Sequence, residues 1–154
     1  MNQPVNYEQD FYGWLLHNVQ LLRQGRLAEA DIENIAEELE SMGKRDKREL
    51  ISRMAVLLAH LLKWQFENDR RSKSWKKTIH EQRIQIHLIL QDSPSLKYQL
   101  EEKITDSYRI AVKSASEETG LKKNIFPETC SYNLQQILDE NFYPENGVKE
   151  AFAI

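Results

Sequence analysis

From Met54 to Leu62 the chain reads MAVLLAHLL, apolar on every side of a helix except at His60. Such a segment is expected in the middle of a bundle, within a central helix around Glu49–Trp64 that the other elements surround. Ahead of it, Tyr7, Phe11, Trp14, Leu15, Val19 and Leu22 fall on one helical stripe, predicting a first helix over 7–24 closed by Gly25. Asn18 interrupts that stripe and needs a hydrogen-bond partner if it is buried. A second helix is predicted from an Asp31 cap, with Ile32, Ile35, Ala36, Leu39 and Met42 toward the core. Glu33, Glu37 and Glu40 lie opposite, while Asn34, Glu38 and Ser41 occupy the border between core and water. Gly43 either separates this helix from the central one or bends a single long helix.

Beyond the central helix, Ser72 or Ser74 is expected to cap a helix reaching Asp92. Its core face carries Trp75, Ile79, Ile86, Ile89 and Leu90, with Gln82 in the middle and Thr78 and Arg83 on the flanks. Ser93-Pro94 reads as the start of a further helix to about Thr119, with Leu96, Leu100, Ile104, Tyr108, Ala111 and Ala115 inward and Gly120 at its end. After a loop, 133–139 is expected to form a short helix, and the tail over 144–154 to be weakly ordered. No segment alternates apolar and polar residues as a strand does. The expected fold is all-α, a single-domain helical bundle over 1–154 with about five main helices plus a short C-terminal helix.

Composition narrows the class. With 154 residues, 40% hydrophobic and 29% charged, the chain has the make-up of a soluble globular domain. The single cysteine, Cys130, excludes an intrachain disulfide and a cysteine-rich zinc site, and fits a reducing cytoplasm. No run of 18 apolar residues is present and the polar N-terminus is not a signal peptide, so no membrane association is expected. The overall charge of −3 hides a division. Residues 1–43 hold two basic and eight acidic side chains, residues 44–83 twelve basic and five acidic, and the remainder seven basic and eleven acidic. The basic middle attracts phosphates or faces acidic helices within the bundle.

The blocks DFYGWLLHNVQLLRQGR, DIENIAEELESMG, HLLKW, RSKSWKKTI, the QR pair at 82–83 and DSPSL occur in this order. Together they resemble the bacterial "domain of unknown function 29" family, abundant in cyanobacteria, over about residues 7–143. Where that family has a small apolar residue in the first helix, this chain has Asn18. The resemblance implies an all-helical fold and no established reaction.

Three constellations are candidates for chemistry. Arg53 and His60, two turns apart on one side of the central helix, have a spacing similar to the HEPN ribonuclease motif. That similarity implies an arginine stabilising phosphate charge and a histidine handling protons, without metal. Met54 stands where those enzymes have a polar residue after the arginine. Glu37 and Glu40 form an E-x-x-E pair like that of some metal-dependent helical pyrophosphatases, but no matching E-x-x-D follows. Second, Glu38, His60 and Gln82, with Asn34 and Thr78 nearby, are expected to be substantially buried as a polar cluster that fixes helix register or lines a pocket. Third, RRSKSWKK with Lys63 and Arg83 surrounds Trp75, a basic set suited to phosphates although the helical pattern turns Trp75 inward. The candidate catalytic pair is thus Arg53 and His60, and the candidate binding set is Asn34, Glu38, Lys63, Arg71, Trp75, Gln82 and Arg83. No nucleophile motif or glycine-rich phosphate loop occurs, and neither cofactor nor metal is expected. The leading expectation is a non-catalytic interaction or regulatory module with a protein partner, homo-oligomerisation being left open. The alternatives are a metal-independent HEPN-like ribonuclease using Arg53 and His60, and a nucleic-acid-binding domain using residues 44–83.

Overall fold

A computed structural model describes residues 5–147, which form six α-helices and no strand. They are α1 (Phe11–Arg23), α2 (Ile32–Phe66), α3 (Lys73–Asp92), α4 (Leu96–Glu102), α5 (Ile104–Thr119) and α6 (Leu134–Leu138). The chain divides into two compact units after Arg45, and α2 runs unbroken through Gly43 as one helix of 35 residues.

The first unit is an arm made of α1 and the start of α2. Asp10 caps α1 by accepting from the N–H of Gly13, which places the helix start at Phe11, four residues beyond the expected Tyr7. Gly25, at a φ of 71°, ends it in the left-handed conformation that glycine adopts without strain. The seam between the two helices is aromatic on one side and polar on the other. Trp14 Nε1 donates to Asp31 at 2.9 Å, and Tyr7 donates to Glu38. Asn18, buried, donates to the Trp14 carbonyl at 2.9 Å and accepts from the Asp31 N–H at 2.8 Å, meeting the requirement its position imposed.

This seam reverses the expected phase of α2. Asp31, Asn34 and Glu38 are half-buried, whereas Ile32, Ala36, Leu39 and Met42, expected in the core, are exposed. The stripe on α1 is corrected too: Trp14 is buried together with Leu21, while Phe11, Val19 and Leu22 remain exposed. The physical reason is hydrogen bonding. Trp14 and Tyr7 each carry a polar group that must be satisfied, and the acidic side of α2 supplies acceptors that the apolar side lacks.

The second unit holds the core. Leu50, Met54, Leu57, Leu58, Leu61 and Leu62 of α2 are buried against Ile79 and Ile86 of α3, Leu100 of α4, Tyr108, Ala111 and Ala115 of α5 and Ile137 of α6. α2 is not wrapped on every side, since Val56 is exposed and His60 half-buried. Ser72 caps α3 through its side chain, Gly120 ends α5 at a φ of 78°, and Asn133 with Gln136 forms a capping box on α6. The expected helix from Ser93 to Thr119 is instead two. Ser93-Pro94 forms a turn, α4 starts at Leu96, and Lys103 (φ −100°, ψ 6°) leaves helical geometry before α5. That break lets both Leu100 and Tyr108 reach the core.

The tail is also better held than expected through Gly147. The Gly147 N–H donates to the Gln65 carbonyl at 2.8 Å, and a Cβ on this glycine would meet the Phe66 ring at 2.5 Å. Arg71 donates to Asn146 at 2.7 Å, and Tyr143 packs on Trp64. The remainder of the expected weak tail, 148–154, lies outside the described residues. No helix among the described residues is long and apolar enough to cross a membrane.

Candidate functional site

Lys63 is the centre of the polar residues on α2 in the second unit. Its side chain is buried, yet α5 brings Glu118 against it, and the ammonium donates to that carboxylate. The same ammonium lies 5.1 Å from the centre of the Trp75 ring and 3.4 Å from His60 Nε2. His60 Nδ1 sits 2.9 Å from the Val56 carbonyl, so this nitrogen carries the proton and Nε2 offers its lone pair to Lys63. Burial pushes the imidazole pKa down, and the Lys63 charge adds to that shift against the opposing Val56 carbonyl and Glu118. The lysine in turn holds the Glu118 carboxyl below the ordinary carboxylate range. Glu118 carries no signal in the sequence beyond its place on an amphipathic helix.

Arg53, expected to work with His60, donates instead to Glu49 at 3.0 Å and to Gln82 at 3.3 Å. The two helical turns between them are kept, but their hydrogen bonds run to separate partners. The expected polar cluster is likewise divided. Glu38, His60 and Gln82 are each half-buried, and they bond to Tyr7, to Val56 and Lys63, and to Arg53 respectively. Asn34 donates to Asp31 at 2.8 Å and so belongs to the arm's seam. Asp31 receives Trp14 and Asn34 together, and those two bonds hold its carboxyl below the ordinary range. Its sequence signal was that of a helix cap only.

The basic residues serve different purposes. Arg83 is the most enclosed, 1% exposed, and donates to the carbonyls of Ile137 and Phe142 at 2.8 Å each, with Gln136 and Glu140 at 3.5 Å. It fastens the last turn of α6 and the strap after it, and its fork leaves no donor turned to the surface for phosphate. Arg71 stacks on Trp64, 4.7 Å from the ring centre, and donates to the Trp64 carbonyl at 2.8 Å. Trp75 is half-buried under Lys63. The remaining lysines, Lys73, Lys76 and Lys77, line an open groove of about 570 Å³ with His80, Glu140 and Tyr143. Among the described residues no three His, Cys, Asp or Glu side chains converge as metal ligands would.

The arm presents another kind of surface. Of the large apolar side chains exposed among the described residues, nine of fourteen lie between Phe11 and Met42. On α2 these are Ile32, Leu39 and Met42, at 53%, 63% and 56% exposure.

The fold and these sites define an all-helical protein with a buried, ion-paired lysine and a first unit in which several large apolar side chains are exposed. The chain belongs to the domain of unknown function DUF29 family, whose model matches residues 6–143. No curated protein and no solved structure matches it.

Proposed function

We propose that this protein is a non-catalytic interaction module that takes a protein partner on the outer apolar face of its arm. The observation that carries this reading is the exposure of Ile32, Leu39 and Met42 on one side of α2. Polar hydrogen bonds already hold the arm's own seam, so its apolar residues are left for another surface. At roughly 25 cal/mol per Å² of apolar area buried, three such side chains supply several kcal/mol toward association. The single cysteine, free and half-buried, supports a reducing compartment such as the cytoplasm. A photo-crosslinking residue at Leu39, in the cells that produce the protein, is expected to form a protein adduct, while the same residue at exposed Tyr98 is not. Absence of any adduct from Leu39 overturns the reading.

A second reading rests on the groove lined by Lys73, Lys76, Lys77 and His80, whose positive charge suits a nucleic-acid backbone. Binding to RNA at low salt that declines steeply as salt is added supports it, and absence of binding at low salt removes it.

A further inference from the structure

Gly43 sits in the interior of α2, where a glycine costs roughly 0.5–1 kcal/mol relative to alanine. Nothing among the described residues requires it. Its φ is not positive, and a Cβ built on it meets no atom within 4 Å. The residue is therefore smaller than its own surroundings demand. A small residue on an exposed helix face is what lets a second helix backbone come close. Leu39 and Met42, immediately before it, are the apolar side chains that would flank such a crossing, and both are exposed.

The charges on either side of Gly43 say which helix comes. The chain is acidic up to Gly43 and basic just after it, with Glu37 and Glu40 on one side and Lys44, Arg45, Lys47 and Arg48 on the other. None of these six forms an ion pair among the described residues. A second α2 crossing antiparallel at Gly43 sets each copy's basic turn beside the other's acidic turn. A parallel crossing sets like charges together, which costs energy rather than gaining it. The antiparallel arrangement is self-complementary, as a two-fold axis demands.

We propose that the partner on the arm is a second copy of this chain, its α2 crossing antiparallel over Gly43, Leu39 and Met42 around a two-fold axis. The proposal rests on the reading of the arm as a docking face and names its occupant. Both the apolar and the charged parts of the face are then used, and the glycine acquires a reason.

Light scattering of the purified full chain, from micromolar to submillimolar concentration, tests it. Wild type is expected to have twice the chain mass, with a dissociation constant that rises as salt is added. Gly43→Leu is expected to keep its helical signal and melting behaviour, because the single chain has space at that position, and to raise the dissociation constant roughly 30-fold or more. Gly43→Cys in a Cys130→Ser background is expected to give a disulfide-linked dimer on oxidation, because the two copies of residue 43 meet near the axis. A wild-type protein that stays monomeric throughout overturns the proposal, as does a dimer that Gly43→Leu leaves intact. The photo-crosslink at Leu39 separates the two readings. An adduct with a different protein from a monomeric chain overturns the second copy and keeps the docking face, whereas no adduct together with a monomeric chain overturns both.

Discussion

The buried ammonium of Lys63 donates to Glu118, 55 residues further along the chain, whose own side chain is 50% exposed. The two partners are therefore unequal. Removing Glu118 leaves a cation enclosed by Trp75 and His60, whereas removing Lys63 returns a carboxylate to water. Glu118→Ala is expected to cost about 1–2 kcal/mol, less than a fully buried pair because solvent already screens the glutamate. Lys63→Met, which keeps the volume and removes the charge, is expected to cost less than Glu118→Ala. Denaturant melts of both variants at neutral pH check the order, and the reverse order would show that Trp75 and His60 suffice for the lysine.

Arg83 makes the opposite arrangement, a buried cation whose bonds go to backbone carbonyls. Its planar fork reaches both Ile137 and Phe142, which a lysine ammonium cannot do with one point charge. Arg83→Ala is expected to lose about 3–5 kcal/mol, since it orphans buried carbonyls and opens a cavity. Arg83→Lys is expected to recover less than half of that. Amide exchange over 137–147 is expected to accelerate in both variants, and unchanged exchange there would contradict the role of Arg83 as the fastening of this strap.

The helix ends set by a local cap were legible in the sequence, whereas the break at Lys103, which has no such signal, was not. Ser72, Gly120 and Asn133 each act within a few residues of the end they specify. The long-range partners were not legible. A lysine inside HLLKW points to a need for an anion, but nothing in periodicity names Glu118. A backbone carbonyl, the acceptor that Arg83 uses, is present at every residue and so leaves no trace. The phase of α2 in the arm failed for a related reason. An apolar stripe states that Ile32, Leu39 and Met42 want cover without stating whose surface gives it, and the polar partners of Trp14 and Tyr7 decided which side of the helix turned inward.

Within that arm, Asn18 joins the Trp14 carbonyl to the Asp31 N–H, both through bonds shorter than 3 Å. Asn18→Ala removes the side-chain amide and orphans the Asp31 N–H. The expected loss is about 1 kcal/mol of local stability, the low end of the desolvation cost because the donor left unpaired is only partly buried. Faster amide exchange at the start of α2, with the second unit unchanged, is the observation that checks it. Unchanged protection would mean that water replaces the side chain there.

Ser107 offers a change of the opposite sign. Its hydroxyl is buried on α5 and finds no hydrogen-bond partner among the described residues. Ser107→Ala removes that group and introduces a better helix former, so a gain of about 0.5–1 kcal/mol is expected in a denaturant melt. A loss of more than that amount would reveal a water or partner bound to the hydroxyl.

The pH dependence of stability follows from His60. Burial, with the Lys63 charge beside it, holds its folded pKa below the 6.5 of the free side chain. As pH falls through 6.5 the unfolded chain takes up a proton that the folded chain still refuses, so the unfolded state gains. The neutral imidazole therefore stabilises nothing extra above 6.5. It penalises folding progressively as pH falls from 6.5 toward the lowered folded value, with a slope of at most about 1.4 kcal/mol per pH unit. Glu118 acts in a lower window, because its stabilising charge is lost only as pH falls through its own depressed pKa, under the ordinary 4.5. His60→Gln preserves a donor for the Val56 carbonyl and an acceptor for Lys63, but it cannot titrate. Melts at pH 7.5 and 5.5 are expected to show wild type losing stability and His60→Gln losing less, with the curves parallel again above pH 7. Equal losses in the two proteins would place the acid sensitivity on another group and deny His60 its half-buried, proton-refusing environment.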